Sequence, residues 1–187
     1  MSKEELLYNN IPPSLHRSGV DPFIEAKENP FCQTIFDLIA TYLIKKNFYS
    51  LKIKNKENFQ NRNPEAASIF YAQHHCWWDG MIGYYLGRKI FNITLKIMVE
   101  ELVKCPWLST LGAFSVDKKS PKSAIKALDY SIEVLKNPDG NIWLFPQGII
   151  NPPDHRPIKF ANGISYICER LKNVNLIPVG IKYVFLR

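Results

Sequence analysis

Apolar and polar positions change period several times along the chain, and each change predicts an element. In residues 31–44, Phe31, Ile35, Leu38, Ile39, Tyr42 and Leu43 recur at the i, i+4, i+7, i+8 spacing of one helical face. Residues 55–64 are polar and asparagine-rich, which predicts a connection. Residues 67–73 read as a short strand ending at a pair of histidines, and 79–90 as a helix with Asp79 as its N-cap. Ile93, Leu95, Ile97 and Val99 alternate as in a strand, 101–111 reads as a short helix interrupted by Pro106, and 113–117 as a further strand. Ser120 and Pro121 have the types of an N-cap and first helical position, and Ala124, Ile125, Leu128, Ile132 and Leu135 then line one face. A buried strand over 142–145 follows, then a helix marked by Phe160, Ile164, Ile167, Cys168 and Leu171, and an apolar run over 176–185.

Strands alternating with helices predict an α/β fold: a largely parallel sheet flanked by helices, with an N-terminal amphipathic helical segment. Residues 1–64 read as an N-terminal helical, membrane-associating region and 65–187 as the α/β core, together one structural domain. An open parallel sheet gathers functional groups at the carboxyl ends of its strands. The histidines at 74 and 75, Asp117 with its lysines, and residues 145–148 all fall at such ends. Three polar clusters are therefore expected to converge.

Composition narrows the setting. With 187 residues, 46% hydrophobic and 22% charged, the chain supports one substantial core. The net charge of +7 favours anionic surfaces. No interleaved basic and aromatic motif marks a nucleic-acid binder, so nucleic acid is not expected as a partner. Cys32, Cys76, Cys105 and Cys168 are widely spaced and the first residues lack a signal-peptide pattern, so a reducing, cytoplasmic location is expected. No stretch has the roughly 18 to 20 apolar residues of a membrane span. The 31–43 stripe, followed by Lys45, Lys46, Lys52, Lys54 and Lys56, has two readings: packing on the core, or lying peripherally on an anionic membrane.

The candidate chemistry sits in His74, His75, Cys76, Trp77, Trp78 and Asp79. A hydroxyl attacks a thioester poorly unless a base takes its proton, and His74 is the candidate base. A carboxylate on its other ring nitrogen fixes the tautomer and stabilises the imidazolium, which is the role open to Asp79. Alone, the pair is more readily read as packed structural histidines. Cys76 as a nucleophile, and His74, His75 and Asp79 as metal ligands, are weaker readings, the latter lacking a third His or Cys at a usual spacing.

Three further stretches change that balance: Gly112 to Lys118 (GAFSVDK), Phe145, Pro146, Gln147, Gly148, Ile149 and Ile150, and Leu176, Ile177, Pro178 and Val179. With the H-x-x-x-x-D spacing of His74 and Asp79, these resemble, in order, the four blocks of the glycerolipid acyltransferase family, which includes lysophosphatidic acid acyltransferases. The resemblance covers about residues 65–182. It implies an O-acyltransferase of phospholipid biosynthesis that moves a fatty acyl group from acyl-CoA or acyl carrier protein to a lipid hydroxyl, with no metal or other cofactor. By that resemblance His74 and Asp79 are catalytic. Gly112, Lys118, Phe145, Pro146, Gln147 and Gly148 belong to substrate binding, with Lys159 a further anion-contact candidate and Trp77 and Trp78 candidates for the acyl pocket.

The sequence departs from the pattern where the acceptor is read. Gln147 replaces the usual glutamate, Ile149 and Ile150 the usual threonine and arginine, and Lys118 the arginine of the second block. Losing arginine removes a bidentate phosphate partner, and lysine supplies only a point charge. The acceptor is therefore either a lysophospholipid of the 1-acylglycerol-3-phosphate type or a phosphate-free hydroxyl such as a glycolipid or carotenoid glycoside. A catalytically weak lipid-binding module is a third reading.

Overall fold

A computed structural model of the protein describes residues 22–100 and 102–184. Part of the predicted N-terminal region, residues 1–21, lies outside them.

Five strands form one all-parallel sheet: β1 (Ala67–Ala72), β2 (Lys96–Glu100), β3 (Ala113–Val116), β4 (Asn141–Leu144) and β5 (Val174–Val179), ordered β3-β2-β4-β1-β5. Ile69 sits opposite Ile142 on one side and Leu176 on the other, and Ile97 opposite Trp143. β4 is buried on both faces, which explains why 142–145 reads as a continuous apolar run instead of alternating. Helices cover the two faces. Phe70, Ala72, Ile97 and Trp143 point to one layer with α1 (Pro30–Asn47) and α3 (Trp78–Tyr85). Ile69, Ile142 and Leu144 point to the other with α4 (Pro121–Leu135) and α5 (Gly163–Arg170).

Local signals explain most boundaries. Ser120 caps α4 by accepting the Ser123 N–H at 3.3 Å, with Pro121 in the first turn. Asn29 accepts from Phe31 and Cys32 to begin α1. The expected connection over 55–64 contains one helical turn, α2 (Glu57–Gln60), because Phe59 is drawn into the core against Phe70 and Phe91. The interrupted helix over 101–111 is two 3₁₀ turns, Leu102–Lys104 and Pro106–Leu111, with Pro106 opening the second, where its missing N–H costs nothing. Beyond α3 the chain continues as a π-turn, Leu86–Phe91.

Two expectations need correction. Asp79 does not cap its helix: Trp77 holds that place, and Asp79 lies in the first turn with its carboxylate turned back onto the preceding residues. The stripe on α1 does not pack on the core. Phe31 is 72% and Leu38 69% exposed, with Ile35, Ile39 and Tyr42 also outward. The buried positions are Gln33, Asp37, Ala40 and Ile44, a face that mixes polar and apolar side chains. Asp37 explains the inversion, because Tyr84 Oη donates to it at 2.9 Å and Arg88 and Lys89 pair with it at 3.2 and 3.1 Å. Burial raises its pKa, but these partners outweigh that and hold it below the usual carboxylate range. A buried charge so bonded has to face inward, and the apolar stripe is left outside.

Candidate active site

β1 ends at Ala72, and the turn after it carries His74 to the carboxyl edge of the sheet. Asp79 follows in the first turn of α3, fully buried. His74 Nδ1 lies 2.9 Å from Asp79 Oδ2. The carboxylate is an acceptor only, so Nδ1 carries the proton and Nε2 keeps its lone pair. The same Oδ2 accepts the backbone N–H of His75 at 2.5 Å and of Cys76 at 2.9 Å. Oδ1 accepts the Tyr183 hydroxyl at 2.5 Å, with the Cys76 thiol 3.8 Å away. Burial pushes the Asp79 carboxyl up, yet bonds from His74, Tyr183, Cys76 and His75 outweigh it and keep the group ionised, below its ordinary range.

His74 is held at three further points, one on its ring and two on its main chain. Phe145 stacks on the imidazole, ring centres 4.1 Å apart and nearly parallel. Gln147 Oε1 accepts the His74 N–H at 2.7 Å, and the Asn151 N–H donates to the His74 carbonyl at 2.9 Å. His75 is supporting: one ring nitrogen meets the Asn151 carbonyl and the other Gln73, each at 3.2 Å. The loop after β4 thus clamps the turn after β1.

His74 opens onto a cavity of about 830 Å³ that wraps the carboxyl edge of the sheet. Its walls are mostly apolar and come from both layers: Phe36, Met81, Tyr84 and Trp107 on one side, Leu128 and Ile164 on the other. Such a space suits a long apolar group, with few polar atoms to fix its end.

The expected site residues divide. His74, Trp77, Lys118, Phe145, Pro146 and Gly148 all line this cavity, so the three clusters do meet. Asp79 and Gln147 stand behind His74. Trp78 is off the cavity, stacked on Trp77 and edge-on to Phe48. Gly112 is also off it: with φ +106° it closes the second 3₁₀ turn, and a Cβ there would lie 2.8 Å from the Leu95 carbonyl. Lys159 is exposed outside the lining.

Lys118 is not a bare charge. Its ammonium pairs with Glu100 at 2.6 Å and donates to the Gly148 carbonyl. Glu100, at the end of β2, had no motif to mark it. Phe36, Met81, Tyr84 and Trp107 likewise carry no motif, since which wall of a cavity they form is decided by packing across elements. Among the described residues, no group of three His, Cys, Asp or Glu side chains is placed to hold a metal ion.

At the carboxyl edge of an all-parallel α/β sheet, a histidine backed by a buried carboxylate thus faces a mostly apolar cavity, an arrangement able to take a proton from a group entering that space. Residues 50–182 match the family model described as Acyltransferase, and the chain belongs to that family. It is also 25% identical over 120 residues to a protein named 1-acyl-sn-glycerol-3-phosphate acyltransferase from Streptococcus pneumoniae (strain ATCC BAA-255 / R6). That alignment covers 63% of this chain and 42% of the relative, so the chain spans less than half the length of the curated relative it matches.

Proposed function

We propose that the protein transfers a fatty acyl group from an acyl thioester, carried on coenzyme A or acyl carrier protein, to the hydroxyl of a lipid acceptor. The observation that carries this reading is the His74–Asp79 pair at 2.9 Å, with His74 opening onto the apolar cavity. The acceptor hydroxyl gives its proton to His74 Nε2 as its oxygen attacks the thioester carbonyl. Asp79 keeps the imidazole in the required tautomer and stabilises the imidazolium. Collapse of the tetrahedral adduct breaks the C–S bond, the thiolate takes the proton from His74, and an ester and a free thiol result. No metal or further cofactor enters these steps.

The test follows thiol release from palmitoyl-CoA with lysophosphatidic acid vesicles as acceptor. His74→Ala is expected to lower turnover by about 10²- to 10⁴-fold with the melting temperature little changed. Wild-type turnover in that variant removes His74 as the base. A catalytically weak lipid-binding module would instead show no His74-dependent thiol release in the wild type.

A phosphate-free acceptor, such as a glycolipid or carotenoid glycoside, is a second reading, and Glu100 favours it. Its carboxylate occupies the ammonium of Lys118, the lysine that replaces the second block's arginine, while Ile149 and Ile150 present apolar surface to the cavity. Mass spectrometry of a lipid extract after incubation with mixed acyl donors, wild type against His74→Ala, identifies the product.

The outward stripe of α1 and the following lysines support a peripheral position on an anionic, cytoplasmic membrane face. Among the described residues no helix is long and apolar enough to cross a membrane.

A further inference from the structure

Asp79 uses both of its oxygens, and only one is explained by the His74 motif. Oδ2 takes the imidazole and two backbone N–H groups. Oδ1 faces the other way, and its one short bond among the described residues is the 2.5 Å contact from the Tyr183 hydroxyl. Without that donor it would keep, among the described residues, a thiol at 3.8 Å, a weak partner for a fully buried anionic oxygen.

Tyr183 stands 104 positions from Asp79 along the chain and one residue past the matched family region, in the segment that follows β5. Its ring is half-buried beside Phe48, ring centres 6.0 Å apart. Burial raises the phenol far above its ordinary pKa, and the adjacent Asp79 carboxylate raises it further, so the hydroxyl is a donor at neutral pH.

Resting on the reading of His74 as the base, we propose that Tyr183 is a positioning residue for the reaction, acting through Asp79. The phenol pins the carboxylate rotamer so that Oδ2 is presented to His74 Nδ1. It also withdraws part of the carboxylate's charge. The titratable groups around Asp79 are His74, Cys76 and Tyr183, and Glu100 and Lys118 lie farther off on the cavity wall.

Tyr183→Phe keeps the ring and removes only the donor. The expected result is a fall in kcat of about 10-fold, near the lower worth of a hydrogen bond to a charged group, with the KM for palmitoyl-CoA within about 2-fold. A less neutralised carboxylate stabilises the imidazolium better, so the acid limb of the kcat/KM profile should move to higher pH. In an Asp79→Asn background the same substitution should lower kcat no further, since both changes act through one contact. An unmoved acid limb with wild-type kcat overturns the proposal, as does a full further loss in the Asp79→Asn background. Loss of the native melting transition in Tyr183→Phe also overturns it, by making the phenol a folding element. His74→Ala, assayed in parallel, separates the cases. If it stays active, the base reading itself fails. If it is inactive while Tyr183→Phe behaves as wild type, only the role of Tyr183 fails.

Discussion

Gln147 Oε1 accepts the backbone N–H of His74 at 2.7 Å, so the turn after β4 fixes the turn after β1 by a bond to main chain, not to substrate. The group required there is an acceptor, which both glutamine and glutamate supply. Either residue would therefore serve this contact.

Gln147→Leu should therefore behave as a positioning defect. A half-buried N–H loses its partner, at a cost of about 1 kcal/mol, and kcat should fall about 10-fold or more as His74 shifts. Gln147→Glu should retain most of the activity. Steady-state kinetics on the two variants decides the point: equal losses would mean that the amide itself contacts substrate.

Gly83, in α3, faces the fully buried Trp143 of β4 so closely that a Cβ would lie 2.8 Å from its indole ring. Gly83→Ala gains up to about 1 kcal/mol of helix propensity. Overpacking against the rigid ring costs about 1–3 kcal/mol, so the net effect is loss of stability. Calorimetry should show the melting temperature lowered by several degrees, at about 2–4 °C per kcal/mol for a chain of this size. A raised melting temperature would show that Trp143 yields.

Asp37 and Asp79 both have depressed carboxyl pKa values in the fold. A depressed group contributes stability that is present above its unfolded pKa, about 3.9, and is lost as pH falls through the folded value. Urea unfolding should thus show stability level from pH 7 to about 5 and falling below 4. Asp37→Asn should cost about 2 kcal/mol at pH 7, with the difference from wild type shrinking at pH 3. A difference of the same size at both pH values would assign the loss to packing instead.

The outward stripe of α1 predicts membrane binding that depends on it. Ile35→Asp with Leu38→Asp removes two apolar side chains, each worth about 1.5–3 kcal/mol when fully buried, so recovery on anionic vesicles should fall at least 10-fold. Raised salt should weaken binding through the lysines that follow. Flotation unchanged by both treatments would remove α1 from the interface.

The legible parts of the molecule are those set by local rules. Ser120 and Pro121 mark the start of α4 because a cap and a fixed φ act within one turn. The convergence of His74, Lys118 and Phe145 was readable because strand ends in a parallel sheet lie together whatever fills the core. The inverted α1 was not readable, since periodicity finds an apolar face without saying which way it points. That orientation depends on Asp37 meeting Arg88, 51 residues away. Tyr183 was hidden for the same reason: in an apolar terminal run a tyrosine looks like core until the fold brings its hydroxyl to Asp79. The separation of Gln147 from the cavity is likewise tertiary, because the block resemblance groups it with Phe145 and Gly148, which do line it.

Glu100 and Lys118 give the last prediction. At 2.6 Å the carboxylate competes with any anionic headgroup for the ammonium, so a phosphate acceptor must displace it or bind elsewhere. Both side chains are partly exposed, which keeps the pair weak, at about 1 kcal/mol or less, and exchangeable. Glu100→Gln leaves the lysine charge uncompensated and removes one negative charge from the cavity. With equal concentrations of lysophosphatidic acid and monoacylglycerol, it should raise the ratio of kcat/KM values toward the phosphate-bearing acceptor by up to about 5-fold. Lys118→Met should move the ratio the opposite way, because a neutral hydroxyl has no use for the charge. If both variants leave the ratio unchanged, the headgroup does not reach this pair, and acceptor choice lies with Ile149, Ile150 and the loop that carries them.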